Sequence, residues 1–524
     1  MATNSGVTGS SAARAAARAA RFRAAGHWVT EPVDLVADAA ARYPDLGALV
    51  SRERSLTYRD LDAAVHGAAR VLRERGVGPG DPVLLLVGND VTSVVALHAS
   101  LRVGALTMVA PTNAGAAQVR DIVAMVRPRL ALAPAAWITA SREVTDDDAN
   151  WSAVEDVGDA AVVAESRGIG HDPDEPSIVF FTSGTTSRPK GVVHSWNTLL
   201  VATRNYVDAA SLTADDRLFI ISPLASVTGV LQVITVAPLI GATAVLEDKF
   251  DTAATFEFLM ETGGTFFGGP DLLLDRVLDE AAARGVDDVP LGAVFLGGSM
   301  LDPRILERAE HGYGIAVLRA YGSSEAPLST GATRDEPRDV RLADDGPPLA
   351  GVDLRIGSAT DPAECCIGGA HLFLGYVDPD DDAAAFDGDW FCTGDLADLR
   401  HGRLKVFGRI KDIVIRNGLK IPIAEVDGMV AALPGVAQCA GYGVADPTTG
   451  ERLAMAIRPA GGATLTFDDL VAGLVAAGAA KWKIPEELVL WDEDFPMTAS
   501  GKVVRNQLDE RAAGRPRTVA ARLR

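Results

Sequence analysis

Short apolar runs alternate along the chain with stretches whose apolar positions recur every three or four residues. Asp81-Pro-Val-Leu-Leu-Leu-Val87 reads as a buried strand, followed by a helix near Thr92–Arg102 and a second strand near Leu106–Ala110. Further strand patterns fall at Leu130–Ala133, Ser177–Phe181, Arg217–Ile221, Thr243–Leu246, Gly264–Phe267, Ala293–Gly297 and Ile315–Ala320. Amphipathic helix patterns cover Leu35–Tyr43, Tyr58–Arg75 and, after the fourth of these strands, His194–Ala209. Alternation on this scale predicts a mostly parallel α/β core with ligand sites at the strand ends.

The texture changes after about residue 340. Pro, Gly and Asp become frequent (Asp345-Gly-Pro-Pro, Asp378-Pro-Asp-Asp-Asp), and the strands look shorter and antiparallel. Beyond the charged junction Gly408-Arg409-Ile410-Lys411-Asp412 the pattern restarts, with strands near Val436–Tyr442 and Leu453–Ile457, a helix near Phe467–Ala477 and a strand near Glu487–Leu490. This last part is long enough for a small α+β domain. At the start, Arg14, Arg18 and Arg21 stand at helical spacing among alanines over Ser11–Ala25, which predicts a surface helix or a frayed terminus rather than a membrane-lying one. The basic tail from Arg511 is expected to be poorly ordered.

Composition narrows the class. A chain of 524 residues exceeds one ordinary core, and its net charge of −21 argues against nucleic-acid binding. Cys365, Cys366, Cys392 and Cys439 have neither metal-ligand spacing nor the density of a disulfide scaffold. No signal-peptide core and no run of eighteen apolar residues occurs, so the expectation is a cytoplasmic protein without integral membrane association.

Candidate chemistry begins at Thr182-Ser183-Gly184-Thr185-Thr186-Ser187-Arg188-Pro189-Lys190-Gly191, directly after the Ser177–Phe181 run. Glycines admit backbone N–H groups to an anion, hydroxyls donate further hydrogen bonds, and Arg188 and Lys190 neutralise charge. These residues predict a polyphosphate-gripping loop between a strand and a helix. The Walker A spacing is absent, and Ser187-x-x-Lys190 lacks the companion motifs of penicillin-recognising hydrolases. Five further stretches accompany the loop: Leu296-Gly297-Gly298-Ser299-Met300-Leu301, Tyr321-Gly322-Ser323-Ser324-Glu325, Trp390-Phe391-Cys392-Thr393-Gly394-Asp395, Gly408–Asp412, and Pro496-Met497-Thr498-Ala499-Ser500-Gly501-Lys502. Singly each is weak; an Asp in a glycine turn is most often a cap.

In order and spacing these six motifs resemble the adenylate-forming superfamily of acyl-CoA synthetases, peptide-synthetase adenylation domains and luciferases. The resemblance implies a large N-terminal domain of parallel α/β subdomains plus a distorted β-barrel over 1–408, a hinge at 409–413 with Lys411 at its pivot, and a small mobile α+β domain over 414–524. It implies ATP and Mg²⁺ as cofactors, with coenzyme A as co-substrate. By that resemblance, Thr182, Ser183, Gly184, Thr185, Thr186 and Lys190 hold the β- and γ-phosphates. Tyr321 stacks on adenine beside Gly322 and Ser323, while Gly297, Gly298, Ser299 and Met300 line the nucleotide and acyl pocket. Ser324 supplies a hydroxyl to the α-phosphate and Glu325 binds the metal. Asp395 takes the ribose hydroxyls near Arg409, Lys502 reaches the α-phosphate and substrate carboxylate, and Gly418 lets a pantetheine arm pass.

The chain also departs from the family pattern. Ser187 replaces the commoner Gly, and the stretch Glu364–Gly369 lacks the usual landmarks. Pro223-Leu224-Ala225-Ser226-Val227-Thr228-Gly229 carries Ala225 and Ser226 where an aromatic and a His are usual, which opens the acyl channel near Gly229. Gly-His-Trp near the start and Lys420-Ile421-Pro422 are similar to the branch that joins CoA to aromatic or alicyclic acids. The implied activity is conversion of a free aromatic, alicyclic or medium-chain carboxylic acid to acyl-AMP and then acyl-CoA. The alternative acceptors are a carrier-protein thiol and a nitrogen nucleophile, and a homodimer is compatible with the resemblance.

Overall fold

The computed structural model describes residues 9–145, 150–160, 172–182, 188–297, 301–497 and 503–523. Two sheets form the first part of the chain. One has eight strands in the order Thr330–Gly331, Ala316–Tyr321, Ala293–Leu296, Phe266–Gly269, Arg217–Ile220, Thr243–Leu246, Gly47–Val50, Ser55–Thr57. Its six inner strands are parallel, so their C-terminal ends share one edge. The other has seven, in the order Gly375–Tyr376, Lys190–Ser195, Pro176–Thr182, Leu106–Pro111, Pro82–Val87, Leu130–Ala133, Trp151–Ala153. A third, half-barrel sheet contains Val352–Ile356, Glu364–Gly369, Trp390–Arg400, Phe386–Asp387 and Arg403–Arg409. The fourth joins Leu419–Pro422, Ile413–Arg416, Gly450–Pro459, Glu487–Leu490 and Arg517–Val519, with Val436–Asp446 also paired to Gly450–Pro459.

By internal contact the chain divides into one unit of Met1–Gly298, Ala309–Leu354 and Ile367–Phe391, and a second of Ser299–Arg308, Arg355–Cys366 and Cys392–Arg524. The strands of the first unit are continuous apolar runs because helices cover both faces; Val83, Leu84, Leu85 and Leu86 are all fully buried. The second unit has its own core around Val414, Ile421, Val426, Leu453, Met455, Ile457, Leu470 and Leu488. Among the described residues no helix is long and apolar enough to cross a membrane.

Three expectations need correction. The candidate phosphate loop does not lead into a helix at His194. Lys190–Ser195 is a strand antiparallel to Pro176–Thr182, with Thr182 opposite Lys190 and Phe180 opposite Val192. Val192 and Val193 are β-branched and fully buried, which suits a pleated surface, and the helix Trp196–Ala210 starts only where Ser195 caps it.

The N-terminal helix, Gly9–Ala24, is neither frayed nor merely superficial: Arg14 and Arg18 point inward, while Arg21 stays exposed. Arg14 donates to the Leu374 carbonyl and pairs with Asp382 at 2.8 Å, while Arg18 donates to the Phe373 carbonyl at 2.9 Å. Their guanidinium forks satisfy carbonyl oxygens along the segment Leu372–Leu374, a role that alanine cannot supply.

The tail from Arg511 is also ordered into the second unit. Arg517–Val519 adds a strand to Glu487–Leu490, Arg515 lies 3.9 Å over the Trp491 ring, and Arg522 pairs with Glu486 at 2.6 Å. Its basic residues find acidic and aromatic partners that are close in space and not adjacent in sequence.

Candidate functional site

In the first unit Tyr321–Glu325, Gly297 and Ala225–Ser226 lie along the C-terminal edge of the eight-stranded sheet, while Thr182 and Lys190 lie on neighbouring strands of the seven-stranded one. Tyr321 ends its strand, and Ser329 N–H returns to the Tyr321 carbonyl at 2.9 Å, closing a tight turn. Only glycine fits next: a Cβ on Gly322 would stand 2.5 Å from Leu328 N. The turn forces Leu328 to φ 48°, an uncommon conformation for a branched side chain and one that only tight surroundings maintain. Ser323 Oγ accepts from the N–H groups of Glu325 and Ala326, both at 3.2 Å, so it shapes the turn from within.

Ser324 is fixed through its backbone. His194, wholly buried, meets the Ser324 carbonyl at 2.7 Å through Nε2 and Thr198 Oγ1 at 2.9 Å through Nδ1. A carbonyl only accepts, so Nε2 carries the proton, and Nδ1 faces the Thr198 hydroxyl, which also has the Ser195 carbonyl within reach at 2.9 Å. Burial lowers the His194 pKa to about 4, which keeps the ring neutral. The Glu325 carbonyl accepts from Phe373 N–H at 2.8 Å, and its side-chain Oε1 accepts from the Tyr376 hydroxyl at 2.7 Å. Burial first, then the Glu325 carboxylate, pushes the Tyr376 pKa up, so that phenol remains a donor.

Tyr376 also joins this turn to the cations beside the candidate phosphate loop. Lys190 Nζ lies 5.0 Å above the Tyr376 ring and 2.9 Å from Asp381. Arg188 pairs with Asp378, whose pKa is lowered first by the Asp380 N–H and then by that guanidinium. Lys190, Tyr376 and Glu325 thus form a row in which a cation lies over a phenol ring whose hydroxyl donates to a carboxylate. Thr182 stands across the hairpin from Lys190.

Farther along the same edge, Gly297 follows its strand so closely packed that a Cβ would lie 2.6 Å from the Ala320 carbonyl oxygen. Ala225 is buried. Ser226 begins the short helix Val227–Val230, its Oγ accepting from Gly229 N–H at 3.0 Å and donating to the Pro223 carbonyl at 2.7 Å. Asn89 braces this segment, accepting from Leu224 N–H at 2.7 Å and donating to the Ser222 carbonyl at 3.1 Å.

In the second unit Asp395 and Arg409 face each other across a hairpin, with Asp395 Oδ1 2.7 Å from Arg409 Nε. Lys411 is exposed on the turn Ile410–Asp412. Asn417 (φ 52°) and Gly418 (φ 77°) are the two central residues of the hairpin turn joining Ile413–Arg416 to Leu419–Pro422. Paired positive φ angles are what the favoured two-residue hairpin requires, so the turn itself accounts for Gly418. Arg505 pairs with the largely buried Asp427 at 2.7 Å.

Ser183, Gly184, Thr185, Thr186, Ser187, Gly298, Ser299, Met300 and Lys502 lie outside the described residues. The sequence reading missed His194, Tyr376, Asp381 and Asn89. A histidine inside the apolar run Val192-Val193-His194 was a local signal for the first; the others become neighbours of the site only through the fold.

Residues 36–377 match the AMP-binding enzyme family, and residues 425–502 match the AMP-binding enzyme C-terminal domain. An oxalate–CoA ligase of Arabidopsis thaliana is 30% identical over 500 residues, covering 90% of this chain and 96% of that protein. A CoA ligase for a methyl-dioxo-octahydroindenyl propanoate from Rhodococcus jostii is 29% identical, covering 90% and 97%. Among solved structures, ATP-bound MatB from Rhodopseudomonas palustris superposes with a TM-score of 0.82 at 24% identity, covering 92% of this chain and 99% of that one.

Proposed function

Since this chain belongs to the AMP-binding enzyme family, we propose that it activates a free carboxylic acid with ATP and passes the acyl group to coenzyme A. In the first half-reaction a carboxylate oxygen attacks the α-phosphorus and pyrophosphate leaves, giving acyl-AMP. In the second the CoA thiol loses its proton, its sulfur attacks the acyl carbonyl carbon, and AMP leaves. The relatives named above act on a small diacid and on a bulky alicyclic acid; an aromatic, alicyclic or medium-chain acid is our reading for this chain. The observation that carries the reading is the turn Tyr321–Glu325, whose carboxylate is tied through Tyr376 to Lys190.

The roles follow from chemistry. Lys190 and the loop from Thr182 to Thr186 take the β- and γ-phosphates, and Tyr321 with Gly322 takes adenine. The Ser324 hydroxyl faces the α-phosphate, its backbone fixed by neutral His194. Glu325 fits Mg²⁺, a hard cation that takes one or two carboxylates and completes its shell with phosphate oxygens and water. When bound, the ion neutralises charge on the leaving pyrophosphate. Asp395 accepts from the ribose hydroxyls. Lys502 brings a cation to the point where two anions must meet, which lowers the transition state more than the separated reactants. Residues 409–413 form the hinge, with Lys411 as pivot, between the two half-reactions, and Gly418 borders the path of the pantetheine arm. A carrier-protein arm presents the same thiol and is the second acceptor to test. Dependence on ATP and CoA suits a cytoplasmic location.

The test is to separate the half-reactions. Lys502→Ala is expected to slow adenylate formation by about a hundredfold or more, while thioester formation from supplied acyl-AMP changes much less. Glu325→Gln is expected to weaken the Mg²⁺ dependence of adenylation. Equal losses in both half-reactions for Lys502→Ala would refute these assignments.

A further inference from the structure

The helix Trp196–Ala210 lays Tyr206 against the eight-stranded sheet. Its ring sits edge-on to Phe266 and Phe295, with centroids 5.8 and 4.8 Å away on neighbouring parallel strands, and only 3% of the residue is exposed. That packing drives the hydroxyl to Gly268, where an added Cβ would lie 2.2 Å from it. Gln232 approaches the same point, its Nε2 3.0 Å from that Cβ position. It comes from Leu231–Val236, a π-helical stretch continuing the helix that Ser226 caps. Irregular winding of this kind often re-aims side chains at functional sites.

The hydrogen bonds around Gly268 leave one donor and one acceptor over. Gln232 Nε2 donates to the Gly268 carbonyl at 3.2 Å and the Thr228 carbonyl at 3.4 Å, and Ser222 Oγ donates to the Gly268 carbonyl at 2.8 Å. Turning the amide over would set Oε1 against two carbonyl oxygens, so its orientation is fixed by chemistry. Tyr206 Oη and Gln232 Oε1, both buried, then have no hydrogen-bond partner among the described residues. Buried polar groups are almost always paired, and two orphans on side chains that converge on Gly268 call for a missing partner group.

Position says what that group belongs to. Gly268–Gly269 ends the strand beside the one that leads to Gly297, on the C-terminal edge where open α/β sheets take their ligands. Neighbouring strands lie about 5 Å apart, so the orphans sit one strand away from the Gly297 turn. We propose that the acid activated here carries a hydroxyl group, which Tyr206 and Gln232 read at the far end of the acyl pocket. This inference rests on the adenylation reading above. A hydroxyl accepts from Tyr206 and donates to Gln232 Oε1, satisfying both. A methyl group leaves both unpaired. A second carboxylate accepts only, and would meet Gln232 Oε1 with no cation in the pair.

The test is acid-dependent pyrophosphate release with matched acids: benzoic against 3- and 4-hydroxybenzoic, cyclohexanecarboxylic against its 3- and 4-hydroxy derivatives, and hexanoic against 6-hydroxyhexanoic. The readout is the ratio of kcat/KM within each pair, which a partly unfolded variant leaves intact. The wild type is expected to favour a hydroxylated member by roughly a hundredfold, because its analogue leaves buried groups unpaired. Tyr206→Phe, which keeps the ring packing, and Gln232→Leu are each expected to lower that ratio about tenfold or more. Pyrophosphate release at equal rates within every pair, or an unchanged ratio in Tyr206→Phe, overturns the inference alone and leaves a buried water as the missing partner. No acid-dependent release from any acid overturns the adenylation reading, and this inference with it.

Discussion

The buried imidazole of His194 and the backbone carbonyl of Ser324 meet at 2.7 Å, so a group 130 residues upstream fixes the turn that carries Glu325. The bond is made by a neutral ring, and two other histidines are buried in the same form. Burial lowers His194 from 6.5 to about 4, and His98 and His371 each from 6.5 to about 3. Each folded pKa is depressed, so each contributes stability that is present above pH 6.5 and lost as pH falls toward the folded value. Between pH 6.5 and 4 the unfolded chain binds more protons, and stability falls by about 1.4 kcal/mol per pH unit for each histidine. Urea midpoints measured from pH 7 to pH 5 are expected to drop steadily, with a shallower slope in His98→Gln. A flat profile over that range would mean that these rings are protonated in the native state.

Tyr376 holds Glu325 by a single hydrogen bond and carries Lys190 on its ring face. Tyr376→Phe keeps the ring and removes the hydroxyl. Adenylation is expected to slow by roughly tenfold, with the Mg²⁺ concentration for half-maximal rate shifted, while CoA transfer from supplied acyl-AMP is unchanged. A wild-type Mg²⁺ titration in this variant would show that Glu325 needs no support from the tyrosine.

Asp378 and Asp381 occupy the two cations that we assign to the polyphosphate. ATP must therefore displace carboxylates that are partly exposed, an exchange worth up to about 1 kcal/mol per pair. Asp381→Asn is expected to lower the KM for ATP a few-fold at low salt, with little change at high salt. A raised KM would instead make Asp381 a positioning group for Lys190.

Arg505 compensates a largely buried carboxylate in the second unit. Burial raises the Asp427 pKa, and Arg505 at 2.7 Å opposes that shift. Removing one partner leaves a charge uncompensated, so Arg505→Ala is expected to destabilise the protein by about 3 kcal/mol, much of it recovered in the double variant with Asp427→Asn. Equal unfolding midpoints for wild type and Arg505→Ala would place the pair among exposed ion pairs of no consequence.

The strands Leu130–Ala133, Thr243–Leu246 and Glu487–Leu490 were legible in the sequence to the residue, because each buries a short apolar run. Val192-Val193-His194 has the same character, but it abuts the Trp196–Ala210 helix without a break, and the two periods run together. The basic tail and the arginine helix were misjudged for one reason: their partners, Glu486, Trp491 and the carbonyls of Leu372–Leu374, are distant in sequence. The same holds within the site. Gly322, Ser323 and Glu325 announce themselves in five consecutive residues, whereas Tyr376 and Gln232 are ordinary residues until the fold brings them to Glu325 and Gly268.

On the proposed function, acid, ATP and coenzyme A are consumed together in two steps. The most direct test is product stoichiometry with the full-length protein, Mg²⁺ and an acid panel, with and without CoA. Without CoA, acid-dependent pyrophosphate is expected to stop at about one equivalent, held as enzyme-bound acyl-AMP; once CoA is added, AMP, pyrophosphate and acyl-CoA are expected in equal and sustained amounts. Formation of ADP and phosphate, or AMP release that does not depend on acid, would contradict the proposed function.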